Sequence, residues 1–87
     1  MSAIARVGDS LSHGGNITAG SPDVLVDSIP VARIGDACHC NEHGTTHITT
    51  GSGTVKANGI GVARVGDQCA CGAVLLSGSP DVGTANG

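Results

Sequence analysis

The segment Ile4-Ala5-Arg6-Val7-Gly8-Asp9 returns as Val31-Ala32-Arg33-Ile34-Gly35-Asp36 and again as Val62-Ala63-Arg64-Val65-Gly66-Asp67. The Ala-Arg steps are 27 and 31 residues apart. A second landmark follows each copy: Gly20-Ser21-Pro22-Asp23-Val24, Gly51-Ser52-Gly53-Thr54-Val55 and Gly78-Ser79-Pro80-Asp81-Val82. From the motif Asp to this Gly the spacing is 11, 15 and 11 residues, so the middle copy carries a four-residue insertion near Asn41–Gly44. A unit of this size cannot bury an apolar face alone, so each must pack on its neighbours. The chain of 87 residues divides into repeats at about 4–30, 31–61 and 62–82 with a short tail at 83–87, all within one domain.

Each unit reads as short strand, turn, short strand. Ala-Arg-Val/Ile is a brief extended run, broken by Gly-Asp, whose glycine tolerates positive φ. Ile17-Thr18-Ala19, Ile48-Thr49-Thr50 and Val74-Leu75-Leu76 are expected to form a second strand, being rich in β-branched and apolar types. Gly-Ser-Pro-Asp signals a turn, and Val24-Leu25-Val26 or Val55-Lys56-Ala57 follows as a third strand. Asn58-Gly59 is the favoured pair for a tight hairpin leading into the next Ala-Arg run. No helix longer than about two turns is expected, because 15 glycines would each cost roughly 1 kcal/mol in a helix interior.

Composition narrows the functions. Phe, Trp and Tyr are absent, so nothing aromatic can anchor the core or stack on a base or sugar. Four basic residues against seven acidic ones give a formal charge of −3, the wrong sign for nucleic acid or an anionic membrane surface. No apolar run could serve as a signal-peptide core or a spanning helix, and the expectation is a product made in the cytoplasm without a signal peptide.

Three like units can close about a pseudo-threefold axis or stack in a row. Closure would bring equivalent positions together. Two residues past each motif Asp lie Leu11, Cys38 and Cys69, a set suited to a small apolar site where free Cys packs as a hydrophobe. Four residues past it lie His13, Cys40 and Cys71, all metal-ligand types. Tetrahedral zinc takes a fourth donor, and the insertion ends in His43, which makes Cys40-x-x-His43 a short chelating spacing. The expected centre is one structural zinc held by His13, Cys40, His43 and Cys71, with His47 or His39 as substitutes for His43. Three alternatives stand beside it: a Cys40–Cys71 disulfide, a four-cysteine site from both Cys-x-Cys pairs, and His13 as a plain turn residue. A chain this small and free of aromatics buries a modest core, which favours a metal staple.

The three Ala-Arg-Val/Ile-Gly-Asp motifs, Ser12-His13-Gly14-Gly15, Cys40-x-x-His43-Gly44, Cys71-Gly72-Ala73 and the repeated Gly-Ser-Pro-Asp-Val strongly resemble PAAR-repeat proteins, over residues 4 to about 82. The naming motif is degenerate: only Pro30-Val31-Ala32-Arg33 keeps its proline. The resemblance implies an all-β cone that sharpens the tip of a membrane-piercing spike, with one metal, usually zinc, near its point. It implies a trimeric β-helical partner, VgrG-like or a phage tail spike, capped by one chain per trimer. It further implies assembly on an injection machine or virion tail, delivery outside or into a target cell, transient contact with the target membrane, and effector cargo in some members. No nucleic acid and no catalysis are expected; the motif Arg and Asp residues read as surface pairs and turn residues. The rival functions are a stand-alone zinc-binding adaptor and a thiol redox protein using the Cys-x-Cys pairs.

Overall fold

Three alanines close the molecule. In the computed structural model, which describes residues 2–79 and 82–84, the Ala5 N–H donates to the Ala63 carbonyl at 2.9 Å, Ala63 to Ala32 at 2.9 Å, and Ala32 to Ala5 at 3.0 Å. All three side chains are fully buried; a larger one would hold the backbones apart. Bridges between Arg6 and Val31, Arg33 and Val62, and Ile4 and Arg64 complete the ring. The units are therefore arranged about a pseudo-threefold axis, not in a line.

Other bonds repeat with the same rotation. Val7, Ile34 and Val65 donate their N–H groups to Pro30, Gly61 and Ala3, each the residue just before an Ile/Val-Ala-Arg run, at 2.9–3.0 Å. Ser21, Ser52 and Ser79 donate to Val31, Val62 and Ile4 at 2.8–2.9 Å. The glycine before each of these serines has a steric reason. A Cβ at Gly20, Gly51 or Gly78 would stand 2.7, 2.8 or 2.7 Å from the carbonyl oxygen of Val31, Val62 or Ile4, closer than real side chains come.

Among the described residues nine short strands hang on this frame: β1 Ser2–Ala3, β2 Gly15–Ile17, β3 Leu25–Val26, β4 Ile29–Pro30, β5 Ala37–Cys40, β6 Gly44–His47, β7 Lys56–Ala57, β8 Ile60–Gly61 and β9 Gly83–Thr84. There is no helix among the described residues. β2, β5 and β6 form an antiparallel sheet in that order. β3–β4 and β7–β8 are hairpins, and β1 pairs with β9 in the same manner. Asn58 and Gly59 both take positive φ, 56° and 76°, as a tight hairpin demands. Asp27 and Ser28 adopt the same turn at 55° and 65°. The glycines of the Gly-Asp breaks, Gly8, Gly35 and Gly66, also lie at positive φ, between 91° and 97°.

Two sequence expectations need correction. β2 ends at Ile17 and β6 at His47, with Ile48 in an isolated bridge to Cys69, so the expected second strands stop where they were to begin. Thr18 gives both its N–H and its hydroxyl to the Ala37 carbonyl, each at 3.0 Å, and Thr49 does the same to Gln68. These residues cross to the next unit instead of extending a ladder. In the third unit Val74 and Leu75 make isolated bridges only. Gly83–Thr84, placed in the tail by the repeat pattern, are β9. Pro80 and Asp81 of the third Gly-Ser-Pro-Asp turn lie outside the described residues, as do 85–87.

The motif Arg and Asp residues are turn residues, yet they are not surface pairs. Asp9, Asp36 and Asp67 accept the backbone N–H of Arg6, Arg33 and Arg64 at 2.7–2.8 Å and also face the guanidinium of the same Arg. Asp9 and Asp67 are buried. Burial is tolerated because each carboxylate has several donors.

The interior divides in two. Under the Cys-bearing turns lie Leu11, Ile17, Cys38, Cys40, Ile48, Cys69, Ala73 and Leu75 with the three ring alanines. Under the hairpins lie Ile4, Val26, Val31, Ala57 and Val62. Val26 thus belongs to the core, whereas Val24 and Val55 are exposed.

Candidate metal centre

Each unit contributes one donor. His13 sits in the turn Ser12–Gly14, Cys40 ends β5, and Cys71 lies in the turn that Gly72 closes back to Cys69 at 2.9 Å. Ligand atoms of His13, Cys40 and Cys71 lie within 4.8 Å of one another, and His13 Nδ1 is 3.6 Å from Cys40 Sγ. The Nδ1–Sγ spacing is informative. A tetrahedral ion with sulfur at about 2.3 Å and nitrogen at about 2.05 Å has an N···S edge of about 3.6 Å. The three residues can hold a metal ion of that geometry, and one ion there would tie the three units together.

Local structure explains how the donors converge. His13 approaches β5 because Gly15 follows it so closely: a Cβ at Gly15 would overlap the His39 carbonyl, and one at Gly14 would press on Asn41. Cys40 is buried and Cys71 half-buried. The Cys71 thiol is held below its usual range, first by the Ala73 backbone and then by hydrogen bonds from Cys40 and Thr46, which suits a sulfur that must bind as thiolate. Thr46 also accepts the Cys71 N–H at 3.3 Å. The sequence reading did not single out Thr46. Its only signal was alternation, since β6 buries Thr46 between exposed Thr45 and His47.

His43 lies at the tip of the β5–β6 hairpin, its N–H bonded to the Cys40 carbonyl at 3.3 Å. It is exposed, and its ring centroid stands 5.4 Å from that of His13 at a tilt of 54°. The two substitutes are elsewhere. His39 and His47 sit at exposed alternate positions of β5 and β6, on the face away from Cys40. His47 pairs with Ala37, at the other end of the ladder from Cys40.

Beneath the three donors, Leu11, Cys38 and Cys69 pack in the core, where the repeat equivalence places them. All four cysteines are free thiols. Burial pushes the Cys38 thiol up to about 12, helped by neighbouring Cys69, and burial raises Cys69 as well. Both are therefore uncharged at neutral pH and behave as small apolar residues.

Comparison with known proteins adds one result of each kind. A family model described as the PAAR motif matches residues 7–77. No curated protein matches the chain.

Proposed function

Because the chain belongs to the PAAR-motif family, we propose that it is the non-catalytic tip of a spike. In this reading it caps the trimeric β-helical spike protein of a contractile injection machine, a type VI secretion system or a phage tail, and sharpens it for passage through a target envelope. The observation that carries the reading is the ring of hydrogen bonds joining Ala5, Ala32 and Ala63. A trimeric partner repeats its surface every third of a turn. A single chain can match it only by repeating its own, and this ring supplies that repetition. Val24, Val55 and Val82 are equivalent in the three units and exposed to nearly the same degree, 37%, 38% and 41%, so they supply three like apolar contacts.

The ion of this proposal is zinc, held by His13, Cys40 and Cys71 with His43 swung in as the fourth donor. Bound there, it supplies cross-linking, not chemistry. With one donor from each unit, His13, Cys40 and Cys71 would pin the turns that otherwise fray first under load. A thiol redox role fits less well, since Cys40 and Cys71 are gathered with His13 into one cluster of metal-ligand atoms. Any effector cargo would travel with the assembled spike.

The test is co-purification with a trimeric spike protein, with the complex weighed by native mass spectrometry. One chain per trimer is expected. Three chains per trimer, or no complex from folded, zinc-loaded protein, would overturn the reading.

A further inference from the structure

The buried sulfurs of Cys38 and Cys69 are 3.8 Å apart, 1% and 3% exposed, and take no part in the metal centre. We propose that this pair is a site of disulfide formation, a covalent link between the second and third units that is independent of the ion. A disulfide needs its sulfurs at about 2.05 Å, so each sulfur must move roughly 0.9 Å, within reach of a small side-chain rotation. The pair is close and lies outside the cluster of metal-ligand atoms. Cys38 and Cys40 project from the same side of the extended strand β5, with roughly 6.6 Å between their backbones, too far and too parallel to join. Cys40 and Cys71 are committed to the ion when it is bound.

The surroundings favour the product. Leu11, Ile17, Ile48, Ala73 and Leu75 share the core with the pair, and a disulfide brings no charge into it. The bonds given up are weak: Cys69 S–H to Cys38 Sγ at 3.8 Å, and Cys38 S–H to the Asp36 carbonyl at 3.9 Å. The oxidant is a small-molecule disulfide, admitted by local opening of the turns. One cysteine sulfur, losing its proton, attacks the reagent's S–S bond and releases one reagent thiol. The second cysteine then displaces the other reagent thiol from the mixed disulfide. Two protein thiols are oxidised and one reagent disulfide is reduced to two thiols.

The test treats zinc-loaded full chain with oxidised glutathione, in urea below the unfolding transition. The expected product is lighter by about 2 Da and retains its zinc. After chelation, alkylation should label Cys40 and Cys71 and spare Cys38 and Cys69, with the positions read by fragmentation of the chain. With chelator present, the oxidised protein should melt at least about 10 °C above the reduced one. Label on Cys38 or Cys69, or no mass loss, overturns the proposal. Cys69→Ala should not lose mass; should that variant misfold, the label map of the unaltered chain decides alone. Zinc content of the same sample reports on the metal centre separately from the label positions.

Discussion

Gly51 and Gly53 stand two residues apart in the same loop, and the structure assigns them opposite tolerances. A Cβ on Gly51 would lie 2.8 Å from the Val62 carbonyl oxygen, 2.9 Å from Ile34 Cγ1 and 3.2 Å from the Gly61 carbonyl oxygen. Ile34 could turn away; the two carbonyls cannot. The Val62 oxygen accepts Ser52 N–H at 2.9 Å and the Gly61 oxygen accepts Ile34 N–H at 3.0 Å, so relief means stretching the seam between the second and third units. Overpacking of this kind costs about 1–3 kcal/mol, and weakening two hydrogen bonds adds about 1 kcal/mol. For a domain of this size Gly51→Ala should lower the melting temperature by roughly 10–25 °C. A Cβ on Gly53 meets nothing within 4 Å, and its φ is not positive, so Gly53→Ala should be neutral or stabilising by about 0.4–1 kcal/mol. Thermal unfolding followed by far-ultraviolet circular dichroism reads both. If Gly51→Ala melts no lower than Gly53→Ala, the argument from the seam is wrong.

The remaining expectations concern the sulfurs and imidazoles. His13→Ala and Cys71→Ala should each lose zinc and several kcal/mol of stability together, while Cys38→Ala keeps its zinc by elemental analysis; loss of metal from Cys38→Ala would sink the ligand assignment. Chelator competition should show His43→Ala weakening zinc by more than the roughly 10–100-fold typical of losing a ligand's outer partner, with His39→Ala and His47→Ala unchanged. In the pH profile of metal-free protein, the Cys38 thiol, raised from 9.0 to about 12 by folding, retains a proton that the unfolded chain gives up. Stability from that group is therefore complete below pH 9 and falls by roughly 1 kcal/mol per pH unit up to about pH 12. Urea titrations of the unaltered chain and Cys38→Ala at rising pH measure the difference, which should vanish if Cys38 is not the group responsible.

Most of this architecture is visible in the sequence because symmetry makes each residue testify three times. Ala5, Ala32 and Ala63 mark the ring, and positions counted from the motif Asp bring His13, Cys40 and Cys71 together without any knowledge of the strands. Where a feature occurs once, the sequence falls silent. Ser2–Ala3 and Gly83–Thr84 form the third hairpin from opposite ends of the chain, so no turn residues announce it. Strand limits shifted because Thr18 and Thr49 spend their hydrogen bonds on the neighbouring unit, a tertiary choice that β propensity does not encode. The middle unit carries three histidines, His39, His43 and His47, with equal chemical claim to a metal. Only the alternation of β5 and β6 separates His43, at the tip, from His39 and His47 on the outer face.

The pairing of β1 with β9 has a mechanical consequence. Each of the other two corners is a continuous loop of backbone, whereas this corner is a clasp made by the two chain ends lying antiparallel, Ser2 against Thr84 and Ala3 against Gly83. Polypeptide appended to either end would leave from the same corner, side by side. Tension on both ends would open the clasp first and part the third unit from the first before the other two seams felt any pull. Joining the ends and cutting instead between Asp27 and Ser28 would move that weak corner by one third of a turn.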